Sequence, residues 1–172
     1  MIKDVAEQLN RIIKADFSSR KIKRSASVPA PVFIGGDYKN SLVNVLKKVS
    51  PNGKVLTVSS SGAFLSLREQ TEKAIESVGA KPVNFIIDDA SEKIEDISQI
   101  FACGDDVRAV IFFERKLAGT VNYFATIRNV PSVYIPISIN VDGGICPEVF
   151  IKTGDKIDAV KTLGEKYVLL DD

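Results

Sequence analysis

The sequence predicts an α/β fold: an open, mostly parallel sheet of about six strands with helices on both faces. From Pro31 onward, short apolar runs rich in Val and Ile alternate with segments of helical period. These runs are nearly continuous apolar stretches without polar alternation, as expected when both faces of a parallel sheet are covered. The predicted strands are 31–35, 54–59, 82–87, 107–113, 132–137 and 167–171, and the predicted helices are about 38–49, 62–78, 91–101 and 115–128.

The joints between these segments support the assignment. Gly79 follows the second helical segment as a stop signal, and Pro82 opens the next strand. Residues 50–53, SPNG, predict a turn before the second strand, and Pro131 separates the last helix from its strand. After Pro147 the pattern predicts a short strand, a turn, and then either a second short strand or a helical turn.

The N-terminal part of the chain has a different character. Residues 3–17 place apolar side chains at helical spacing opposite a charged face, which predicts an amphipathic helix that caps the domain or docks on a partner. Residues 18–31 carry a basic cluster, a composition typical of a linker. The organisation predicted is therefore an N-terminal helix and basic linker over 1–30 and an α/β domain over 31–172. The basic residues of the linker are Arg20, Lys21, Lys23 and Arg24.

Composition excludes several classes of function. The 172 residues carry a formal net charge of +1, so no global field draws the chain to nucleic acid or to an anionic membrane. No apolar run approaches the length of a signal peptide core or a membrane span, which predicts a cytoplasmic protein. The spacing of Cys103 and Cys146 favours reduced thiols over a disulfide scaffold. Histidine is absent, so a Ser-His-Asp triad or a histidine-ligated zinc site cannot form within this sequence.

Candidate ligand contacts follow the predicted strands, because ligands bind beyond the carboxyl ends of an open parallel sheet. Gly35 and Gly36 follow the first strand, where they allow close approach of a ligand to the backbone or simply form a tight turn. Ser60 or Ser61 follows the second strand and is suited to capping the next helix. Residues 88–89, both aspartate, are expected to form a turn and cap.

The loop of residues 136–147, PISINVDGGICP, together with the order of elements, resembles a known family. The similarity is to the N-terminal nucleotide-binding domain of sn-glycerol-1-phosphate dehydrogenase, in the superfamily of iron-containing alcohol dehydrogenase and 3-dehydroquinate synthase. It covers residues 31–171 and implies a Rossmann-like domain. In this resemblance Pro136 and Pro147 match the prolines of the family loop.

The resemblance also implies roles for particular side chains. Asp142 and Gly143 match an Asp-Gly pair whose aspartate faces the substrate, so Ser138, Asp142 and Gly143 are candidates for substrate binding. Asp171 stands where the family places a metal-ligand aspartate. The histidines that complete that metal site belong to a helical second domain, so the ligand set is incomplete here and no metal is expected.

The sequence departs from the family where the cofactor would be held. Residues 113–115, Phe-Glu-Arg, correspond to the family's Gly-Gly-Gly, which lets a pyrophosphate lie against backbone amides. Phe113 adds bulk and Glu114 adds negative charge at that turn, while Arg115 and Lys116 can offset the charge as weak cofactor contacts.

Further changes affect the same cofactor. The family's Asp and Lys on the following helix correspond to Gly119 and Asn122, and its loop Thr corresponds to Ile137. The acidic residue that ends the family's second strand is a serine here. The NAD motif is therefore degenerate, which disfavours NAD(P) without excluding a nucleotide or another small-molecule ligand.

Three hypotheses follow from the sequence. The chain is a non-catalytic derivative of the nucleotide-binding domain, kept as a binding, regulatory or scaffolding module. Alternatively, it is one half of a split polyol or polyol-phosphate dehydrogenase whose metal domain is another polypeptide. In the third hypothesis, a different ligand binds the same crevice through Asp142 and Arg115 or Lys116. A protein partner or homo-oligomer is compatible with the first two hypotheses, whereas membrane and nucleic-acid partners are disfavoured.

Overall fold

The computed structural model describes residues 32–34, 38–49, 52–87, 94–103, 105–137 and 147–170. The predicted N-terminal helix and basic linker lie outside these residues, as do residues 88–89. Within the described ranges the chain forms eight strands, four α-helices and one 3-10 turn.

The main sheet has six strands, all paired in parallel. Its order across the sheet is β1, β8, β5, β4, β2, β3. The strands are β1 (Val32–Ile34), β2 (Lys54–Ser59), β3 (Lys81–Ile86), β4 (Val107–Phe112), β5 (Ser132–Tyr134) and β8 (Lys166–Leu170). The open, parallel α/β class predicted from the sequence is confirmed.

Helices cover both faces of the sheet. They are α1 (Tyr38–Val49), α2 (Ser61–Ser77), α3 (Ile94–Phe101) and α4 (Ala118–Arg128), with the 3-10 turn Arg115–Leu117 immediately before α4. One buried cluster joins α1 and α2 to one face of the sheet, and a second joins α3 and α4 to the other face. The central strands β2 and β4 are therefore buried almost throughout, whereas every residue of β3 is exposed or half-buried because β3 is an edge strand.

The segment after Pro147 forms an antiparallel hairpin of β6 (Glu148–Thr153) and β7 (Lys156–Lys161). Of the two alternatives left open by the sequence, the second piece is thus a strand. Val149 and Ile151 on one face of β6 are buried in a third cluster with Ile97 of α3. Phe150 and Ile157, on the opposite face of the hairpin, are 57% and 64% exposed.

Two helices end in backbone conformations that favour particular residues. Gly79 has a φ of 77°, and its N–H donates to the carbonyl of Glu76 at 2.9 Å, which closes α2 as the sequence predicted. Asn129 ends α4 in the left-handed region, with a φ of 52°. The chain can therefore reverse direction within one or two residues of each helix end.

Candidate functional site

The candidate site lies where two neighbouring strands, β2 and β4, send the chain to opposite faces of the sheet. After β2 the chain enters α2, whereas after β4 it enters the 3-10 turn and α4. In open parallel sheets, ligands bind beyond the carboxyl ends of the strands at such a switch point. We call this position the β2–β4 crevice. Ser60, directly after β2, and Glu114, two residues after β4, meet there.

The carboxylate of Glu114 bridges the crevice. The backbone N–H of Ser60 donates to both carboxylate oxygens of Glu114, at 3.1 Å each, and the hydroxyl of Ser60 donates to Oε1. Glu114 is only 9% exposed. A buried carboxylate needs hydrogen-bond donors to offset its loss of hydration, and Ser60 supplies two of them.

The start of α2 favours this arrangement. Ser60 is the N-cap residue of α2, with φ −81° and ψ 159°, but its side chain makes no capping bond to the helix. The sequence predicted a capping hydroxyl here, and the position is correct while the bond differs: the hydroxyl turns to Glu114 instead. Because the positive end of the helix dipole lies at this terminus, a negative charge is stabilised there. The carboxylate of Glu114 thus occupies the position at the start of α2 where an external anion would otherwise be stabilised.

The turn after β4 separates buried from exposed side chains. Phe112 and Phe113 are both fully buried and belong to the core. They face opposite sides of the sheet: Phe113 packs in the cluster with α1 and α2, and Phe112 packs in the cluster with α3 and α4. Arg115 and Lys116 are exposed on the 3-10 turn, next in sequence to the buried Glu114.

The remaining predicted site residues lie outside the described residues. They are the cofactor candidates Gly35 and Gly36, the substrate candidates Ser138, Asp142 and Gly143, and the metal candidate Asp171. Their roles stay predictions.

Two positions on α4 that the sequence resemblance assigned to the cofactor region are buried in this chain. Gly119 and Asn122 are both buried on α4. The hydroxyl of Ser132 in β5 donates to Oδ1 of Asn122 at 3.1 Å, so this amide joins α4 to the sheet. Tyr123, a neighbour on the same helix, lines a groove between α3 and α4 and not the β2–β4 crevice.

The part of the chain that the structure describes offers few other reactive or metal-binding side chains. In those residues no cluster of three or more His, Cys, Asp or Glu side chains is placed to hold a metal ion. Burial raises the pKa of the Cys103 thiol, and the positive charge of Lys54 partly opposes this shift. None of the helices in the described ranges is long and apolar enough to cross a membrane.

Sequence reasoning missed the pairing of Ser60 with Glu114. Each residue was singled out, Ser60 as a cap and Glu114 as a charge at a turn, but their contact depends on β2 and β4 being neighbours. The order of strands in the sheet is not encoded in any local pattern, since β3 lies between β2 and β4 in sequence and on the far side of β2 in space. The signal available was the buried β4 strand followed directly by a carboxylate.

Comparison with known proteins finds similarity in structure only. No protein-family model matches the sequence, and no curated protein sequence matches it. Among solved structures, glycerol dehydrogenase from Schizosaccharomyces pombe aligns with a TM-score of 0.67 and 13% identity, over 87% of this chain and 39% of that one. An iron-containing alcohol dehydrogenase from Thermotoga maritima aligns with a TM-score of 0.69 and 12% identity, over 84% of this chain and 46% of that one.

A third similar structure has a different named activity. Maleylacetate reductase from Rhizobium sp. strain MTP-10005 aligns with a TM-score of 0.67 and 12% identity, over 88% of this chain and 43% of that one. The chain thus spans less than half the length of each of these enzymes. The likeness confirms, at the level of fold, the resemblance identified from the sequence: the chain has the α/β fold of one part of the iron-containing alcohol and glycerol dehydrogenases.

Proposed function

We propose that this chain is a non-catalytic derivative of a dehydrogenase nucleotide-binding domain, acting as a binding, regulatory or scaffolding module. The observation that carries the proposal is the carboxylate of Glu114, which is buried in the β2–β4 crevice and hydrogen-bonded to Ser60 at the start of α2. The site therefore already holds a negative charge at the helix end that would otherwise favour a phosphate.

Electrostatic repulsion is the first reason that a dinucleotide fits this crevice poorly. Two like charges about 4 Å apart repel by about 4 kcal/mol at an effective dielectric constant near 20. Such a penalty weakens binding roughly a thousandfold. Arg115 and Lys116 are exposed on the same turn, where solvent and salt screen their charges more than that of Glu114.

Lack of space is the second reason. In the family that the sequence resembles, the turn after the strand equivalent to β4 consists of three glycines, so no side chain separates a ligand from the backbone there. Here the corresponding residues, 113–115, all carry side chains, and the first of them, Phe113, is a fully buried part of the core. A fully buried side chain cannot move aside without leaving a cavity, so this turn resists remodelling around a ligand.

The absence of histidine from the sequence is consistent with this proposal. The 172 residues contain no histidine, so they cannot by themselves supply the histidine metal ligands that the resemblance implies.

Calorimetric titration tests the proposal directly. We expect no saturable binding when the full chain is titrated with NAD⁺, NADH, NADP⁺ or NADPH. A dissociation constant in the low micromolar range for any of them would contradict the proposal.

The same titration on two matched variants tests the physical reason. Glu114→Gln removes the charge but keeps the size, so we expect it to bind a dinucleotide measurably better than the unmodified chain. Glu69→Gln removes an exposed carboxylate on α2, away from the crevice, and should bind no better than the unmodified chain. Equal behaviour of the two variants would show that the charge of Glu114 is not the obstacle.

A second function is favoured by a separate observation: the chain is one part of a two-part dehydrogenase. The outer face of the hairpin exposes Phe150 and Ile157, and exposed apolar groups of this kind are common where a partner packs. Purification of the full chain from its native cells tests this alternative. It requires that a histidine-containing helical protein co-purify and that the complex oxidise a polyol or polyol phosphate with NAD(P)⁺; isolation of the chain alone would count against it.

A further inference from the structure

An apolar groove lies between α3 and α4, on the face of the sheet opposite α1 and α2. It has a volume of about 290 Å³ and is lined by Ile97, Ser98, Phe101, Tyr123 and Ile127. We call it the α3–α4 groove.

The chemistry of the groove suits apolar side chains. Ile97 is buried, whereas Ile127 is 55% exposed. Phe101 is fixed by edge-to-face contact with Phe124, at 5.0 Å between ring centroids, and by the guanidinium of Arg128, 5.1 Å from its ring centroid. The volume is at the lower end for small-molecule sites, and only two of its five lining residues carry polar side chains, both hydroxyls. A peptide segment with apolar side chains is therefore a better occupant than a small polar ligand.

Leu163 is a second exposed apolar residue near the end of α4. Its backbone N–H donates to the hydroxyl of Thr126 at 3.0 Å, which holds Leu163 beside the residue that precedes Ile127. Leu163 is 67% exposed. It belongs to the loop that leads into β8, the strand that pairs with β1.

We propose that residues 3–17 of the same chain dock in the α3–α4 groove as an amphipathic helix. Their apolar residues recur at the spacing of one helix face, the pattern by which helices bind apolar grooves. These residues are Val5, Leu9, Ile12, Ile13 and Phe17. This intramolecular contact is independent of the proposed function.

The chain is long enough to make the contact. Val32, the first residue of β1, pairs with Val168 of β8 and so lies about 5 Å from it. The segment from Leu163 to Val168 spans at most about 18 Å, so Leu163 lies within about 23 Å of Val32. Residues 18–31, which join the amphipathic segment to β1, can span about 45 Å when extended. The tether therefore reaches the groove with length to spare.

Tethering also favours this occupant over a separate molecule. Residues 18–31 join this segment to β1, and a covalent tether of this length gives an effective concentration in the millimolar range at the site. A helix of this length is marginal in water by itself, so stable helical structure over residues 3–17 requires a surface that covers the apolar face.

Hydrogen exchange on the full chain, followed by mass spectrometry, tests the proposal. Amides of residues 3–17 are expected to exchange at least about tenfold more slowly than in a free peptide of the same sequence. Ile127→Glu and Leu163→Glu each place a charge on the proposed contact, and each should reduce this protection about tenfold. Both side chains are more than half exposed, so the α/β domain itself should keep its thermal stability.

Ile157→Glu is the matched control, because Ile157 is equally exposed but lies on the hairpin face turned away from the third buried cluster. This variant should leave the protection unchanged. Free exchange of residues 3–17 in the unmodified chain, or equal protection in Ile127→Glu and Ile157→Glu, would overturn the proposal. Protection that rises with protein concentration would also overturn it, since the groove would then bind a second copy of the chain.

Discussion

The β2–β4 crevice and the α3–α4 groove satisfy opposite physical requirements. In the crevice, a buried carboxylate is bonded to a backbone N–H and a hydroxyl of the same chain, so its polar groups need no ligand. The groove exposes apolar side chains such as Ile127, which gain free energy when covered. Among the described residues, the carboxylate at the position where this fold is expected to bind a ligand is hydrogen-bonded within the chain, whereas exposed apolar side chains lie on a different surface.

The largest expected effect tests whether the turn beside the crevice belongs to the core. Phe113→Ala should destabilise the folded chain by about 3–5 kcal/mol, because it leaves a cavity in a fully buried cluster. Phe150→Ala, the same change at a 57% exposed position on the hairpin, should alter the free energy of unfolding by less than about 0.5 kcal/mol. Urea denaturation of the two variants measures both values. Similar losses in the free energy of unfolding for the two variants would contradict the distinction between a buried turn at the crevice and exposed apolar surfaces elsewhere.

The next effect tests whether the crevice is satisfied from within. Glu114→Ala should cost about 1–3 kcal/mol, because the N–H and hydroxyl of Ser60 lose their buried acceptor. Glu114→Gln keeps an acceptor and should cost less. A double-mutant cycle with Ser60→Ala, measured by urea denaturation, should give a coupling energy between the two side chains of about 0.5–3 kcal/mol. A coupling near zero would mean that the carboxylate is not held by the Ser60 hydroxyl.

The smallest effect concerns a hydroxyl–carboxylate pair outside both regions. Burial, together with the hydrogen bond to Glu165 at 2.7 Å, raises the pKa of Tyr167 to about 12. Because the folded-state pKa lies above the ordinary value near 10, the protonated phenol contributes stability that is complete below about pH 10. That contribution is lost as the pH rises from about 10 through about 12.

Tyr167→Phe should therefore flatten the fall in stability between about pH 10 and 12, measured as the difference in urea midpoint from the unmodified chain. Glu165→Gln is the control. Since burial is the largest single cause of the raised pKa and does not depend on Glu165, this variant should keep part of the fall in stability with pH. An unchanged slope in Tyr167→Phe would show that another group governs the alkaline limit.

Much of the fold could be predicted because it rests on local signals. β2 covers the residues predicted from its apolar run, and α1 begins and ends where its periodicity does. Gly79 adopts the positive φ that its position after α2 required. The end of β5 was less predictable: the predicted strand continues to 137, whereas β5 ends at Tyr134. The N–H groups of Ile135 and Ile137 still donate to the carbonyls of Phe112 and Phe113, at 2.9 and 3.3 Å, so bonding to the end of β4 persists beyond the assigned strand.

By itself the sequence determined the α/β class, the positions of most elements and the presence of side chains at all three residues 113–115, because hydrophobic period, turn residues and side-chain size are local properties. Only the tertiary structure decided that Glu114 meets Ser60, since that contact depends on which strands are neighbours. The same holds for the α3–α4 groove, whose five lining residues come from two helices separated by β4 in the chain. Long-range pairing is set by the packing of the whole sheet. For this reason Glu114, which the sequence showed only as a negative charge at a turn, is hydrogen-bonded in the folded chain to Ser60 at the start of α2.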